Sequence, residues 1–456
     1  MLPQKARQLL LEFLDEKDYR SSIEDRITYS YDASRESCIP DAVVFPKKVA
    51  HVSRILEICN TYRIPIVPRG AGTGLTGGAV PLSNGIVMAL KRFDRIIEID
   101  KENFCAVVEP GVITADLQTA VENIGLFYPP DPASMDVSTI GGNIAENAGG
   151  MRAVKYGVTK DYVMGLEVVL PNGETIHTGS KCVKDVVGYD ISRLFVGSEG
   201  TLGVITKAIL KLVPKPEAKQ TLMAFFPDIA IAAKAVPDIL LKGIAPTTIE
   251  FFDRYCIDAT REMMGFPIPT ETLAMLLMDV DGRASEIPAA IKRLHDVCIS
   301  HGALAVEIAV DAAAQDQLWR SRRSLHGALN TIRPCWEEED IAVPIARIPD
   351  MIRAFNTIGE DHNVLIVSFG HAGDGNIHVS LAAKHGNTPS KNVTAARHAV
   401  LKEAVALEGR IAAEHGIGMV KRNKIGWNID HGTLSFMKNL KDLLDPHHIL
   451  NPGKVL

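Results

Sequence analysis

The residues of this 456-residue chain with the most chemistry to offer are two histidines, a glutamate-histidine pair and a run of arginines. His371 and His378 lie in Ser368-Phe369-Gly370-His371-Ala372-Gly373-Asp374-Gly375-Asn376-Ile377-His378-Val379, Glu414 and His415 in Ala412-Ala413-Glu414-His415-Gly416-Ile417-Gly418, and Arg320, Arg322 and Arg323 follow Trp319. Asp374-Gly375 is a tight-turn pair, so a two-residue hairpin is expected, with His371 directly opposite His378. Opposed residues share a face with Cβ atoms about 4.5–5.5 Å apart, which lets both imidazoles reach one ion. A helix from about Lys391 is expected to end at glycines suited to a C-cap, offering Glu414 there. Two histidines and a glutamate make an open metal site, for which zinc, manganese or iron suit the nitrogen and oxygen donors. The alternative is that His371 and His378 are hydrogen-bonded structural residues and His415 a surface histidine at a helix end. The arginines provide fork-shaped cations for a carboxylate, and helical spacing puts them on different faces.

These side chains need a scaffold, and the glycines describe part of it. Gly72-x-Gly74-x-x-Gly77 in Pro68–Gly78 matches a dinucleotide fingerprint by letter, but a helix must come next for that motif to work. The adjoining stretch, Ala79 to Met88, reads instead as a proline turn leading into a strand. A backbone nest is the physical alternative: glycines accept positive φ and aim successive N–H groups at a diphosphate. Two further small-residue runs, Ser138–Gly150 and Gly197–Ile205, could bring backbone close to a flat ring. Three such runs exceed what turns alone would need.

With these motifs the sequence resembles the vanillyl-alcohol-oxidase-type (PCMH-type) FAD flavoproteins, in the branch holding D-lactate dehydrogenases and the glycolate oxidase catalytic subunit, from about Tyr31 to Val455. The resemblance implies an α+β fold: a bipartite PCMH-type FAD-binding domain, an α+β cap domain with an antiparallel sheet, and a C-terminal segment returning to the flavin domain. It implies FAD contacts at Arg69, Gly70, Gly72, Thr73, Gly74, Gly77, Gly78, Ser138, Gly142, Asn143, Asn147, Gly149, Gly157, Glu199, Gly200 and Ile205. Some members attach the flavin through a histidine where this chain has Thr73, so non-covalent FAD is expected. It also implies a divalent metal on His371, His378 and Glu414, His415 as the base that takes the hydroxyl proton, and Arg322 as the substrate-carboxylate arginine. The implied reaction is oxidation of a small D-2-hydroxy acid to the 2-oxo acid. Relatives acting on D-2-hydroxyglutarate carry a lysine shortly before Asp-x-x-x-Pro, where this chain has Glu337-Glu338-Glu339. Like charge there favours lactate or glycolate, with a D-2-hydroxyglutarate-type dehydrogenase as the alternative.

Composition bounds the rest. At 46% hydrophobic content the chain can bury more than one core, and two or three domains are expected. The boundaries fall at 1–216, 217–413 and 414–456, with a linker at Lys211–Glu217. Strand-helix alternation after about Ala218 suits an antiparallel or mixed sheet with helices on one face. A net charge of -6 without a basic stripe argues against nucleic acid. The seven scattered cysteines are expected as free thiols, which leaves no thiolate set for an iron–sulfur cluster. Without a cluster or a nicotinamide motif, electrons must leave to an outside acceptor: an electron-transferring flavoprotein, an iron–sulfur subunit or a quinone. No apolar stretch reaches bilayer length, so a cytoplasmic protein is expected, membrane-associated only through a partner, with a homodimer among the expected assemblies. A nucleotide-binding module without redox chemistry is the reading from another class, and it leaves the histidine segment unused.

Overall fold

The computed structural model describes residues 2–82, 85–332, 336–384 and 391–456. Contacts divide the chain into two compact units. Met1–Gly150, Gly157–Lys215 and Glu414–Leu456 form the first, and Met151–Tyr156 with Pro216–Ala413 the second.

In the first unit, helix Val49–Tyr62 carries Val52, Ile55, Leu56 and Cys59 at helical spacing, and all four are fully buried. Burial of each aliphatic side chain contributes roughly 1.5–3 kcal/mol. The helix stops where Arg63 turns left-handed at φ 53°. It connects Ala42–Val44 to Ile66–Arg69, and both strands pair in parallel with Ile86–Ala89 between them; Tyr19–Arg20 adds an antiparallel edge. These parallel strands are buried at almost every residue because both faces of the sheet are covered. A second, antiparallel sheet orders its strands Ile96–Asp100, Cys105–Val108, Val204–Lys211, Val163–Val169 and Thr175–Gly179.

The expected linker is structured. Val213–Pro214 pairs with Leu126–Phe127, and Lys215 N–H donates to the Gly125 carbonyl at 3.1 Å. Pro214 is tolerated because a two-stranded ladder leaves one side of each strand without a partner.

The second unit is built on a seven-stranded antiparallel sheet: Ala305–Ile308, Ala218–Phe226, Ala274–Gly282, Thr248–Asp253, Val364–His371, Asn376–Ala383 and Glu337–Ala342, in that spatial order. The expectation of helices on one face does not hold. Helices Arg254–Met264 and Ala312–Ile332 cover one face; Ile229–Leu241, Ile287–Ser300, Ile348–Asp361 and Lys391–Ala406 cover the other. The strands show why: Leu222–Phe226 and Ala274–Asp281 are buried continuously rather than alternately, so both faces are core. The short segment Met151–Tyr156 joins this unit through an ion pair of Lys155 with Asp281 and a hydrogen bond from Tyr156 Oη to Asp281 Oδ2 at 3.0 Å.

Among the described residues, Cys38, Cys59, Cys105, Cys182, Cys256 and Cys298 are free thiols; Cys335 lies outside them. No helix among the described residues is long and apolar enough to cross a membrane.

Candidate functional site

The glycine-rich loop leaves strand Ile66–Arg69, and among the described residues the next regular element is strand Ile86–Ala89, not a helix. Two adjoining cavities of the first unit share Arg69–Thr73 of this loop, together with Ser134 and Thr139. An elongated ligand can therefore run along the loop from one cavity into the other. Gly72 and Gly77 take φ of 78° and 77°, where only glycine is at ease. A side chain on Gly70 would run into Thr139 Oγ1 and one on Gly72 into the Arg69 guanidinium, whereas nothing stands within 4 Å of where a Cβ on Gly74 would point. Backbone is thus exposed to the cavity, as a diphosphate nest requires. Arg69 is 6% exposed, and its guanidinium donates to the Tyr31 carbonyl at 2.6 Å.

Of the FAD contacts expected from sequence, Arg69, Gly70, Gly72, Thr73, Gly74, Gly78, Ser138, Gly142, Asn143, Gly149, Glu199, Gly200 and Ile205 line the first of these cavities, and Glu414 and His415 line it too. Gly77, Asn147 and Gly157 are not among the lining residues. A side chain on Gly77 would meet Met419, Asn147 is the left-handed cap of helix Ile140–Glu146 whose Oδ1 accepts from Lys160 N–H at 2.9 Å, and Gly157 turns at φ 80° beside Asp161. The second small-residue run is therefore a helix rather than a loop. Thr139 caps it by accepting from Gly142 N–H at 3.3 Å, and Gly141 lets its first turn press on Pro110.

Glu414 is not at a helix C-cap. Helix Lys391–Ala406 ends early, Glu408 takes a left-handed φ of 63°, and Glu414 falls in irregular chain. What holds the Glu414–Gly418 loop is a set of side chains in the first unit. Glu199 accepts from Ile417 N–H and Gly418 N–H, both at 2.7 Å, and Thr76 Oγ1 donates to the His415 carbonyl at 3.2 Å. His415 Nε2 lies 3.8 Å from Glu414 Oε1. Gly416, at φ 83°, sits where a side chain would collide with Glu146 Oε2 and stand 3.0 Å from Glu199 Oε1.

Glu146 is a second cavity-lining carboxyl, one that sequence reading missed. Its Oε2 is buried and has no hydrogen-bond partner among the described residues. Burial first, then the neighbouring charges of Glu199 and Asp32, pushes its pKa well above the ordinary glutamate value. Burial raises Glu199 as well, but the Ile417 and Gly418 N–H groups and Lys454 oppose that rise. Two carboxyls in one pocket do not both ionise readily, so Glu199, with its N–H donors, is the anionic member. Further along the C-terminal segment, Asn451 Nδ2 donates to the Glu199 carbonyl at 2.7 Å and to the Gly78 carbonyl at 3.0 Å. Lys441 Nζ, 8% exposed, donates to Asp445 Oδ2 at 2.5 Å and to the carbonyls of Thr201 and Leu450 at 2.8 Å each.

The histidine segment belongs to the second unit. It is a hairpin, but its register is His371↔Asn376, Gly370↔Ile377 and Phe369↔His378, so the turn holds four residues rather than two. Asp374 and Gly375 N–H both reach the His371 carbonyl, Gly375 takes φ 88°, and Asp374 Oδ1 accepts from Asn376 N–H at 3.1 Å. The slip changes each pairing by two positions, which preserves the side-chain face. His371 and His378 are accordingly diagonal neighbours, with ring centroids 5.2 Å apart and edge to face.

Around them the sheet supplies carboxylates. Glu250, directly opposite His371 on the adjoining strand, places Oε1 2.5 Å from His371 Nδ1 and Oε2 2.7 Å from Arg322 Nε. Burial works against ionising Glu250, yet the charges and hydrogen bonds of His371 and Arg322 bring it down to about 2. His378 Nδ1 lies 3.5 Å from Asp340 Oδ1, which also accepts from Asn376 Nδ2 at 2.7 Å. Asp340 Oδ2 accepts from Ala413 N–H at 2.9 Å. Arg322 is the arginine turned inward on helix Ala312–Ile332, one turn after Trp319, whose Nε1 donates to buried Asp279 at 2.9 Å; Arg320 and Arg323 sit outside with Asp316. Glu250 and Asp340 escaped the sequence reading of the site. The available signal for Glu250 was a carboxylate at a core position of a largely apolar strand, which must find a cation or a donor. Glu337 and Glu339 both pair with Arg397, so that run is partly neutralised and its like-charge effect on substrates is weaker than its letters suggest.

The chain is similar to known proteins along its whole length. The family description "FAD binding domain" matches residues 40–179 and "FAD linked oxidases, C-terminal domain" matches residues 215–455. A glycolate oxidase subunit GlcD of Bacillus subtilis (strain 168) is 44% identical, covering 100% of this chain and 97% of that protein. A D-lactate dehydrogenase of Anaerostipes hadrus is 34% identical over 91% of this chain and 89% of its own length. In fold, p-cresol methylhydroxylase with substrate bound superposes at TM-score 0.80 and 18% identity, covering 99% of this chain and 96% of that one. Alkyldihydroxyacetonephosphate synthase does so at TM-score 0.80 and 18% identity, covering 99% and 86%. The glycine cradle and the matched domains together make this chain a PCMH-type FAD flavoprotein, a member of the FAD-linked oxidase family.

Proposed function

We propose that the chain oxidises a small D-2-hydroxy acid, D-lactate or glycolate, to the 2-oxo acid. The observation that carries this reading is that His415 lines the same cavity as the glycine cradle, while relatives alike over nearly their full length are named for glycolate and D-lactate. FAD, which would be held without a covalent bond because Thr73 offers no imidazole, would supply the two-electron acceptor for the substrate's α-hydrogen. His415 receives the hydroxyl proton, a task suited to an imidazole near neutral pH. Arg322 binds the substrate carboxylate through its guanidinium; Glu250 already holds its Nε. His371, His378 and Glu414 are the ligand set proposed for a zinc, manganese or iron ion, which would polarise the substrate hydroxyl. The donor types suit such an ion: with Nδ1 of His371 committed to Glu250, its Nε2 would be the ligand atom, and His378 shares its face.

In this division of labour residues 1–216 hold FAD, 217–413 form the substrate or cap domain, and 414–456 complete the active site. Electrons then pass to an electron-transferring flavoprotein, an iron–sulfur subunit or a quinone. That the glycolate oxidase relative is named a subunit favours a chain that turns over only with such a partner. Anaerobic titration of the purified yellow protein with D- and L-lactate, glycolate and D-2-hydroxyglutarate tests the proposal. Bleaching of the flavin by D-lactate or glycolate is expected; no bleaching by any 2-hydroxy acid would refute it. Bleaching without steady-state turnover until a partner protein or an artificial dye is added identifies the partner-dependent form.

A further inference from the structure

We propose that Glu250 is a shared positioning residue, one buried carboxylate that orients both the imidazole of His371 and the guanidinium of Arg322. The inference rests on the proposed roles of His371 as a metal ligand and Arg322 as the substrate-carboxylate arginine. Glu250 is 0% exposed and touches each partner with a different oxygen, at 2.5 Å and 2.7 Å. Three independent elements fix this arrangement. Strand pairing sets Glu250 opposite His371, helix Ala312–Ile332 delivers Arg322, and the Phe369 ring lies under the Arg322 guanidinium at 5.2 Å from its centroid.

A carboxylate accepts only, so Nδ1 of His371 carries the proton facing Glu250, and in the neutral imidazole that metal binding requires, Nε2 is the nitrogen presented to a metal. On the other side, holding Nε leaves the two terminal amino groups of Arg322 as the donors for a substrate carboxylate. Glu250 touches neither metal nor substrate in this scheme. It makes the orientation of one site depend on the same group as the other.

The test uses the full-length FAD-loaded protein and the variant Glu250→Gln, with zinc(II) as the metal probe. Glutamine keeps the shape but accepts from one partner only. Zinc affinity, measured by chelator competition, should fall by about 10–100-fold. The KM for D-lactate or glycolate should rise by about tenfold, as expected for a weakened charge-assisted contact, with the visible flavin spectrum unchanged. Zinc affinity and KM both within about twofold of the parent would overturn the proposal, and a loss of zinc affinity with an unchanged KM would overturn the shared role. If Glu250→Gln does not fold, Glu250→Asp carries the test: its shorter arm should lower zinc affinity too, and a parental value overturns the idea. His371→Ala separates the two levels. Zinc affinity retained in His371→Ala means the ligand reading itself is wrong, whereas its loss there beside normal binding in Glu250→Gln removes only the role given to Glu250.

Discussion

Replacing Lys441 by methionine should weaken the first unit out of proportion to what a helix lysine normally contributes. Its Nζ is buried against Asp445, which is 0% exposed, and against two backbone carbonyls. Lys441→Met removes the cation and leaves the Asp445 carboxylate buried with only the Ile449 and Leu450 N–H donors, at 3.0 and 2.8 Å. Breaking a buried pair in this way costs about 3–5 kcal/mol. For a unit of this size each kcal/mol moves the melting temperature by roughly 2–4 °C, so a drop of roughly 6–20 °C is expected. Differential scanning calorimetry with parallel release of FAD fluorescence measures it, because Thr201 directly follows Glu199 and Gly200, which line the cavity. Lys441→Met/Asp445→Asn should recover part of the loss, since no charge is then stranded. A single variant melting within about 2 °C of the parent would show that the pair is solvated and the reasoning wrong.

Gly72→Ala forces a left-handed residue at φ 78° and drives its Cβ into the Arg69 guanidinium, so FAD affinity should fall by about tenfold or more; an unchanged dissociation constant would rule out the cradle. Glu199→Gln leaves one acceptor for two N–H donors and should cost about 1.5–3 kcal/mol of stability, while Glu146→Gln should be tolerated; equal damage in melting curves would contradict the assignment of charge. A carboxyl raised above its unfolded value binds more protons when folded, so the Glu146 contribution is greatest below the ordinary glutamate range and is lost as the pH rises through its raised value; Glu146→Gln should flatten the fall of melting temperature over that interval. Arg322→Lys, which cannot keep Glu250 and bind a carboxylate with the same planar fork, should raise KM about tenfold with FAD still bound; an unchanged KM would send the substrate carboxylate elsewhere.

Much of this was legible where local chemistry decides the outcome. Helix Val49–Tyr62 is dictated by the spacing of Val52, Ile55, Leu56 and Cys59, and the absence of a helix after Gly78 by Pro81. The hairpin was legible in kind but not in register, because Asp374-Gly375 is compatible with both a two-residue and a four-residue turn. The shared face of His371 and His378 survived because a slip of two keeps parity. Lys391–Ala406 misled about Glu414, since Glu408 and Gly409 stop the helix before the more conspicuous glycines. Glu250, Glu146 and Lys441 were illegible as partners. Each is an ordinary charged residue in its own segment, and its role exists only where a contact distant in sequence closes.

The order in which the two units occur along the chain carries a consequence for biosynthesis. The first unit lacks Glu414–Leu456 until all of Pro216–Ala413 has been translated. Until then Glu199 has no Ile417 and Gly418 to hold, and the cavity wall lacks His415. A ribosome-bound chain therefore exposes a flavin cradle that cannot close, and stable cofactor capture is timed to come after completion of the second unit. Nascent chains halted at Ala413 should accordingly fail to retain the flavin that full-length chains retain.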